Sequence, residues 1–518
     1  MTSHKTIMQS SSNNNSSKST NNSCDVLITN AAVVIPKVGI VRTDILIENG
    51  KIKDLRKSTG NTYASKKINA NRKYILPGVI DPHVHYGVYT PINEAAQTES
   101  RSAAVGGVTT MIRMLRLYGS YRNIEKHLRA SKGTHHIDYS IHASILTSNQ
   151  LKDIPYLKSI GINSLKVYMN LGAELKHIFM DLQPGTYEMA SREVKMTDDL
   201  IFNIIMEAAT MGSTVLVHAE DPIICSDHIR KRKETEEIEE KVNQLAVTAM
   251  NRSRLKIWSD SRPPTSEAES ISKAAGFANR FCSKLYFVHI GSTIALDAIL
   301  AEKRKGNSNL FVETCPHYLT HTIDFDDLKG KVVPPLRSKS DVQYIWSALQ
   351  CGIIDTIGTD HVANRLSMKV GQGDIWSALS GFPGVATMLP ILLSRGVNEN
   401  RISLEKVSEV TSYNTSRIFG LYPKKGTIQR GCDADLTIVD LDLEQRVTPE
   451  LLQSYSDYTI YDGYNIKGWP VLTMVRGQVV MHDGQISSNT LGHGEFVARP
   501  VSDVENRDLL TSSNNNNK

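Results

Sequence analysis

The stretch Ile75-Leu76-Pro77-Gly78-Val79-Ile80-Asp81-Pro82-His83-Val84-His85 decides the fold. Its apolar first half is typical of a buried parallel strand, and two histidines follow where that strand ends. Side chains two residues apart on an extended strand point to the same side, so His83 and His85 can bind one metal ion together. Neutral imidazole is the commonest metal ligand, and zinc accepts it well. Two histidines with this spacing and no further ligands are more often hydrogen-bonded core residues. A metal site therefore requires further ligands from the rest of the chain.

Downstream of this stretch, apolar strand-like runs alternate with helix-like stretches, which is the pattern of repeated βα units and a parallel sheet. Eight strands are predicted, at Ile75–Ile80, Thr109–Met114, Tyr139–Ile145, Ser164–Val167, Thr214–His218, Leu285–His289, Leu310–Glu313 and Thr356–Thr359. Helices are predicted between them, among others at Met196–Met211, Ser266–Phe281 and Ser340–Cys351. Eight units over more than the usual ~250 residues predict an α/β fold, a (β/α)8 TIM-like barrel with insertions.

Short strands flank the barrel region on both sides. Before it, two strands meet at Asn49-Gly50, the strongest short hairpin signal, and after it Gly477 separates the strands of another hairpin. Each half leaves open edges that the other can cover, which predicts one small domain built from both ends of the chain. The predicted domains are a disordered Ser/Asn-rich tail at 1–24, a composite β-sandwich from 25–76 and 420–490, the barrel at 77–419, and a partly disordered tail at 491–518.

Composition is that of an ordinary globular protein and excludes several functions. Of the 518 residues, 40% are hydrophobic and 22% are charged, and the net charge is only +5. The densest basic run, 230–233, is followed at once by glutamates, as on a solvated helix face, so no nucleic-acid partner is predicted. The chain has no signal-peptide pattern and no apolar run of membrane-spanning length, and its six cysteines form no Cys-x-x-Cys pair. These features predict a cytoplasmic protein without a membrane partner.

In barrels of this kind, functional residues lie at the carboxyl ends of the strands. The polar residues at those positions are His83, His85, Lys166, His218, His289 and Asp360. Imidazole nitrogen together with carboxylate oxygen suits divalent zinc, with manganese, cobalt and iron as alternatives. A lysine ammonium has no lone pair for a metal, so Lys166 is either a solvent-reaching lysine or, after carbamylation by carbon dioxide, an anionic bridging ligand.

Nine motifs spread over residues 25–490 identify a family. They are Pro77–His85, Gly106–Thr110, Asn163–Tyr168, Val217–Glu220, Ser261–Pro263, Cys315–Leu319, Pro334–Arg337, Gly358–His361 and Gly431–Leu436. On these motifs the chain resembles the cyclic amidohydrolases, which include dihydropyrimidinase (hydantoinase), allantoinase and dihydroorotase. The resemblance implies that carbamylated Lys166 bridges two metal ions, with His83, His85 and Asp360 on one ion and His218 and His289 on the other.

The resemblance also implies a reaction and its cofactors. A hydroxide that bridges two divalent ions, zinc being the first expectation, attacks the carbonyl of a cyclic amide of the dihydropyrimidine or hydantoin type. Asp360 passes the proton to the leaving nitrogen, and the product is an N-carbamoyl amino acid. Allantoinase or dihydroorotase activity on a related ring is the alternative. A non-catalytic scaffold is a distant one, because such relatives typically lose metal ligands and all six are present here. A homo-oligomer, dimer or tetramer, is also expected.

Four residues are candidate substrate contacts, namely Leu171, His317, Val333 and Ser380. Three of them depart from the dihydropyrimidinase pattern, which has tyrosine, serine and asparagine where Leu171, Val333 and Ser380 stand. His317 is either a substrate or second-layer group or a buried hydrogen-bonded histidine. Dihydroorotases resemble one another in an arginine just after the His-x-His pair, where this chain has Tyr86 and Gly87. Arg113 or Arg116 could replace it, although a salt bridge or a solvent-facing position is the simpler expectation for both.

Overall fold

A computed structural model describes residues 23–60, 62–243, 253–325 and 327–499. The disorder predicted for residues 1–22 and 500–518 lies outside the described residues. Residues 23 and 24, predicted as part of the N-terminal tail, belong to the first strand.

Five strands precede the barrel: β1 (Ser23–Ile35), β2 (Gly39–Glu48), β3 (Lys51–Arg56), β4 (Tyr63–Asn69) and β5 (Tyr74–Pro77). The first strand has an irregularity beside Asn30, whose φ is 57°. The predicted hairpin is confirmed, since β2 and β3 pair antiparallel across Asn49 and Gly50. Both turn residues have positive φ, 51° and 73°, as the two central residues of a type I′ turn require.

The barrel strands confirm the eight predicted ones within a few residues. They are β6 (Val79–His85), β7 (Val108–Leu115), β8 (Asp138–Ser144), β9 (Ser164–Tyr168), β12 (Thr214–His218), β13 (Lys284–Phe287), β14 (Leu310–Thr314), β15 (Thr356–Ile357) and β16 (His361–Val362), with the hairpin β10 (His177–Phe179) and β11 (Ser191–Glu193) inserted after β9. Neighbouring barrel strands are parallel. Strand eight is interrupted between β15 and β16, and β16 pairs with β6, which closes the ring.

Helices follow most of the barrel strands. Their bounds are α1 (Ile92–Val105), α2 (Glu125–Ser131), α3 (Ile154–Ser159), α4 (Asp198–Met211), α5 (Pro222–Asn243), α6 (Arg254–Ser261), α7 (Pro264–Asn279), α8 (Thr293–Arg304), α9 (Lys339–Gln350), α10 (Leu366–Lys369), α11 (Met388–Ile391), α12 (Leu404–Ser408), α13 (Asn414–Ile418) and α14 (Pro449–Leu452). The largest apolar core lies between these helices and the strands. None of the helices in the described residues is long and apolar enough to cross a membrane.

The C-terminal strands are β17 (Leu436–Arg446), β18 (Asn465–Val475), β19 (Gln478–His482) and β20 (Gln485–Ile486). They continue the N-terminal sheet because β17 pairs antiparallel with β5, which gives one mixed sheet of nine strands. The sheet has its own apolar core, to which β1, β2, β17 and β18 all contribute. The expectation that the two ends of the chain share one small sheet is confirmed.

Residues 491–499, predicted as part of the C-terminal tail, pack against the barrel. Phe496 forms a bridge with Tyr139 at the start of β8. Arg499 is fully buried and donates hydrogen bonds to the hydroxyls of Ser140 and Ser164, both 2.8 Å long. The described part of this segment therefore covers the amino-terminal end of the strands, opposite to the rim where function is expected.

Candidate metal centre

Strands β6 and β16 bring the first three predicted ligands together at the carboxyl rim. Asp360 Oδ1 lies 3.2 Å from Nε2 of His83 and 3.2 Å from Nε2 of His85. The three ligand atoms lie within 4.8 Å of one another, and the two histidines are buried. Two imidazoles and one carboxylate at this spacing can hold one divalent ion.

Lys166 lies in the middle of β9, and its side chain is almost fully buried. Its Nζ has no hydrogen-bond partner among the described residues. Burial lowers the pKa of this amine to about 7, although Asp360 and Glu313 act in the opposite direction. At neutral pH an amine with this pKa is uncharged in about half of the molecules. The uncharged amine is the nucleophile that can take up carbon dioxide.

His218 ends β12 and His289 follows β13, with their ring centroids 4.6 Å apart. His289 also stacks against His83 at 5.5 Å, which connects this pair to the first three ligands. The Nδ1 atom of His289 is buried without a hydrogen-bond partner in the described part of the chain. The structure thus brings all six predicted ligands to one rim.

Burial keeps the four imidazoles neutral. It lowers the pKa of His83 to about 3 and the pKa values of His85 and His289 well below the ordinary value. The pKa of His218 is also lowered by burial, with partial compensation from Glu220. A histidine must be neutral to give its lone pair to a metal, so this environment prepares the rings as ligands.

Glu313, near the end of β14, orients the ring of His83 and holds the backbone of His289. Its Oε1 accepts a hydrogen bond from Nδ1 of His83 at 2.7 Å and another from the backbone N–H of His289 at 3.0 Å. The Tyr286 hydroxyl donates to the other oxygen at 2.8 Å. The contact at Nδ1 leaves Nε2 of His83 to face Asp360, which is how carboxylates usually fix a ligand histidine.

A network of hydrogen bonds between carboxylates and arginines supports His218. Glu220 Oε2 lies 2.6 Å from Nε2 of His218, which leaves Nδ1 as the available ligand atom. Arg262, just after α6, donates to both oxygens of Glu220 at 3.0 and 2.8 Å. Arg337 then donates to the Arg262 carbonyl at 2.8 Å and to Glu267 at 2.6 Å. The Ser-Arg-Pro and Pro-Pro-Leu-Arg motifs therefore meet behind one ligand.

Asp81 holds the break in strand eight. Its oxygens accept hydrogen bonds from the backbone N–H and the hydroxyl of Thr359, at 3.1 and 2.6 Å, and from the N–H of His83 at 3.1 Å. Burial raises its pKa to about 7. Asp360, which follows Thr359 in the chain, has a φ of 51°, and His289 has a φ of 46°. Such left-handed conformations in residues other than glycine cost about 1–3 kcal/mol and concentrate at functional sites.

Metal ions fit this set of residues. The unpartnered buried atoms, Lys166 Nζ and His289 Nδ1, face the same space as the His83–His85–Asp360 group. A buried polar atom without a partner costs about 1–3 kcal/mol, and a coordinated cation or a carbamate would remove that cost. Imidazole nitrogen with carboxylate oxygen is a donor set typical of divalent zinc and related ions.

A cavity of about 390 Å³ opens above these residues. Three of the four candidate substrate residues, Leu171, Val333 and Ser380, line it together with Tyr168 and the segment around β10. His317 is not among the described residues that line it. Instead His317 is buried against the rings of Tyr318 and Phe382, and burial lowers its pKa to about 3.

The two candidate arginines have different surroundings. Arg113 makes the expected salt bridge, with Asp181, and is buried. Arg116 lines the cavity, and its Nη2 lies 2.6 Å from Nδ1 of His85. The sequence offered Arg116 as a cavity residue only as the alternative to a salt bridge or a solvent-facing position, and it did not predict the supporting roles of Glu313, Glu220 and Asp81. The available signal for Glu220 was its position two residues after His218, just beyond the end of β12.

Comparison with known proteins agrees with the fold and the site. The Amidohydrolase family model matches residues 74–480, and the model of the urease alpha-subunit N-terminal domain matches residues 2–73. An L-hydantoinase from Paenarthrobacter aurescens is 32% identical over 484 residues, which is 92% of this chain and 98% of that protein. A D-hydantoinase from Ralstonia pickettii is 30% identical over 492 residues, covering 92% and 99% of the two chains. The solved L-hydantoinase (dihydropyrimidinase) from Arthrobacter aurescens superimposes with a TM-score of 0.80 at 29% identity, covering 92% of this chain and 100% of that one.

The barrel and its rim of neutral imidazoles define a metal-binding hydrolase of the TIM-like type. The chain belongs to the amidohydrolase family, and along nearly its whole length it is hydantoinase-like. The family expected from the nine motifs is therefore confirmed.

Proposed function

We propose that this protein is a binuclear metal-dependent hydrolase that opens a cyclic amide of the hydantoin or dihydropyrimidine type to an N-carbamoyl amino acid. One observation carries the proposal. The Lys166 amine is buried without a hydrogen-bond partner among the described residues, on the same rim as four neutral imidazoles and one carboxylate. A purely structural lysine in such a place would be expected to have a carboxylate or carbonyl partner. The similarity to two hydantoinases over nearly the full chain supports the reaction class.

The proposed ligand set divides into two groups that share Lys166. His83, His85 and Asp360 would hold one ion and His218 and His289 the other, and a carbamate on Lys166 would be the ligand common to both. Zinc is the proposed metal because the donors are imidazole and carboxylate. When bound, two such ions lower the pKa of a shared water towards neutrality and polarise the ring carbonyl.

The residues of the chain perform the remaining steps. The carboxylate of Asp360 accepts the proton of the attacking water and delivers it to the ring nitrogen as the carbon–nitrogen bond breaks. Glu313 and Glu220 keep His83 and His218 in the orientations described above. The walls formed by Leu171, Val333 and Ser380 hold the ring and exclude bulk water.

The test is a substrate panel on protein reconstituted with zinc and bicarbonate. Hydantoin, dihydrouracil, allantoin and dihydroorotate are offered, and ring opening is followed by loss of ultraviolet absorbance together with the metal content. We expect about two zinc ions per chain and turnover of hydantoin or dihydrouracil. Asp360→Asn is the matched control, because it keeps the imidazoles and removes the proton acceptor. Metal-replete protein that opens none of the four rings would overturn the proposal.

A cytoplasmic location and a homo-oligomeric state belong to the same proposal. All six cysteines are free thiols, and Cys282 and Cys351 are exposed, which suits a reducing compartment. Sedimentation at micromolar concentration would measure the oligomeric state, with a monomer contradicting that part.

A further inference from the structure

Two lysines beside the cavity, Lys331 and Lys369, bury their side-chain nitrogens. Lys331 is 3% exposed and Lys369 is fully buried, and neither is among the described residues that line the cavity. Neither forms a salt bridge with a carboxylate among the residues that the structure describes, unlike Lys425 at the amino-terminal end of the barrel, which contacts three. Buried nitrogens of this kind normally have hydrogen-bond partners, so the partners must be other groups.

Lys369 holds one end of an irregular segment, residues 376–381, in which no helix or strand is formed. Its Nζ donates to the carbonyls of Leu379 and Gly381, at 2.6 and 2.8 Å, and to that of Lys331 at 2.6 Å. Burial lowers the pKa of this amine, but three acceptors require three N–H bonds, which only the charged form has. The three carbonyls therefore favour the ammonium at this position.

Lys331 holds the other end of the segment 376–381. Its Nζ donates to the carbonyls of Trp376 at 3.2 Å and Ala378 at 2.6 Å. Two acceptors can be satisfied by an amine in either protonation state, so these contacts persist although burial lowers the pKa of Lys331 to about 7. The same nitrogen lies 4.2 Å from the ring centroid of Trp258, which lines the cavity. Lys331 thus joins the segment to a second wall of the cavity.

The segment held by the two lysines forms part of the cavity wall, because Ser380 and Gly381 line the cavity. The N–H of Gly381 also donates to the carbonyl of Lys331 at 3.0 Å. In all, four of the six carbonyls of residues 376–381 accept hydrogen bonds from the two amines. An irregular loop is ordinarily mobile, and here buried amines take the place of the hydrogen-bond ladder that holds a strand.

We infer that Lys331 and Lys369 are positioning residues, which fix the segment 376–381 so that the wall at Ser380 meets the substrate ring. The inference rests on the proposed function, because the ring is the occupant proposed for this cavity. Each lysine acts through the backbone that it holds. A displacement of about 1 Å in such a wall can cost on the order of 100-fold. The two lysines thereby contribute to the affinity for the ring, in contrast to Lys166, which belongs to the metal centre.

Amide hydrogen exchange on the metal-free protein tests whether the lysines hold the wall. Lys369→Met and Lys331→Met keep the aliphatic stems and remove the donors, so the carbonyls lose their partners. The amides of residues 376–381 should exchange at least about 10-fold faster in each variant, as expected for the loss of a hydrogen bond to a buried carbonyl. Lys425→Met is the matched control, a buried lysine at the opposite end of the barrel, and it should not single out this segment.

Steady-state kinetics on protein loaded with zinc and bicarbonate test the consequence for binding. With hydantoin or dihydrouracil, whichever the wild type opens, KM should rise at least about 10-fold in Lys369→Met, while kcat stays within about threefold. Lys331→Met should give a smaller rise, because Lys369 also holds the backbone of Lys331. The metal content of both variants should equal that of the wild type, and Lys425→Met should leave KM within about twofold.

Unchanged exchange at residues 376–381 in both variants would overturn the inference, because the wall would then hold itself. Faster exchange with unaltered KM would also overturn it, as would an equal increase in exchange throughout the barrel, which would mean that the lysines only stabilise the fold. If Lys369→Met does not fold, Lys331→Met decides by the same criteria. If the wild type opens no ring, the proposed function fails and the role in substrate binding fails with it, whereas exchange in the metal-free protein still decides whether the lysines hold the wall.

Discussion

Lys166 and Lys425 both bury their side-chain nitrogens against the barrel, at opposite ends of its strands. At the carboxyl rim, Lys166 Nζ has no hydrogen-bond partner in the described residues, and burial lowers its pKa to about 7. At the other end, Lys425 Nζ lies 2.7 Å from Asp138 and 3.3 Å from Asp433, and it also contacts Asp435. Burial would lower the pKa of Lys425, but these three carboxylates more than offset burial and raise it.

The comparison separates a functional cluster from a structural one. Asp138, Asp433 and Asp435 bring three ligand atoms as close together as His83, His85 and Asp360 do. In the acidic group, however, the Lys425 ammonium already supplies the cation, and Arg476 pairs with Asp138 as well. The two groups therefore have the same number of ligand atoms, three each. They differ in whether a cationic side chain of the protein already pairs with those atoms.

The largest effect should come from Lys166→Ala. Without the bridging group we expect loss of both metal ions and a fall in activity of at least about 10⁴-fold, because the metals supply most of the activation of water. The unfolding free energy of the metal-free protein should change by less than about 1 kcal/mol, because removal of the costly unpaired amine offsets the packing lost with the aliphatic stem. Metal analysis and urea denaturation of apo protein check both parts. Two tightly bound ions in this variant would contradict the bridge.

Lys425→Met should reverse this pattern. Removal of the ammonium leaves three buried carboxylates without a cation at the centre, and loss of one partner from such a network costs about 3–5 kcal/mol of stability. Activity per folded molecule should stay within about twofold of the wild type, because Lys425 lies at the opposite end from the rim. Denaturant unfolding and a metal-normalised assay test this. A stable protein that has lost its metal would break the comparison.

A smaller effect is expected from Glu313→Gln, which keeps the shape of the group that orients His83. Burial raises the pKa of Glu313 to about 8, and an amide, unlike this carboxyl, cannot ionise when a cation binds nearby. The amide oxygen still accepts a hydrogen bond, so the affinity for metal should fall only about 10-fold, at the low end for a residue behind a ligand. Competition with a chelator of known affinity measures the change. An unaltered metal affinity would show that His83 is held by its packing alone.

The smallest effect should come from Asp433→Asn in the acidic group. Asp138 and Asp435 continue to pair with Lys425, so the loss should be about 1 kcal/mol of unfolding free energy. Thermal unfolding at pH 7 checks the value, with Asp435→Asn as the companion because its carboxylate is closer to Nζ and should matter more. Equal losses in the two variants would mean that the carboxylates act as one undivided charge.

Much of the fold could be predicted because the strand pattern is local. One departure is at Gly78, where the predicted first strand divides into β5 of the small sheet and β6 of the barrel. The N–H of Gly78 donates to the carbonyl of Asp435 at 2.8 Å, and a side chain there would collide with Thr109 and Asp435. Both halves of the run are apolar and buried, so only the distant partners show where one sheet ends and the other begins.

The ligand residues of the candidate site could be predicted, but the contacts that support them could not. Each ligand candidate lies in a barrel strand or within three residues of its end, so the candidates could be found one strand at a time. The supporting contacts could not, since His83 with Glu313 and Glu267 with Arg337 pair residues far apart in sequence. Arg113 and Arg116 could not be told apart from the sequence, because both stand near the end of the same apolar strand. In the structure Arg113 pairs with Asp181, which is distant in sequence, and Arg116 lines the cavity.

The ladder between β5 and β17 also has a consequence for biosynthesis. Ile75 pairs with Ile438, so the N-terminal strands must wait for a partner that leaves the ribosome much later. At about 5–20 residues per second, that delay is on the order of tens of seconds. During this interval the edge of the nascent sheet that β17 will cover is unpaired, and an open edge of this kind is a template for pairing with a neighbouring copy.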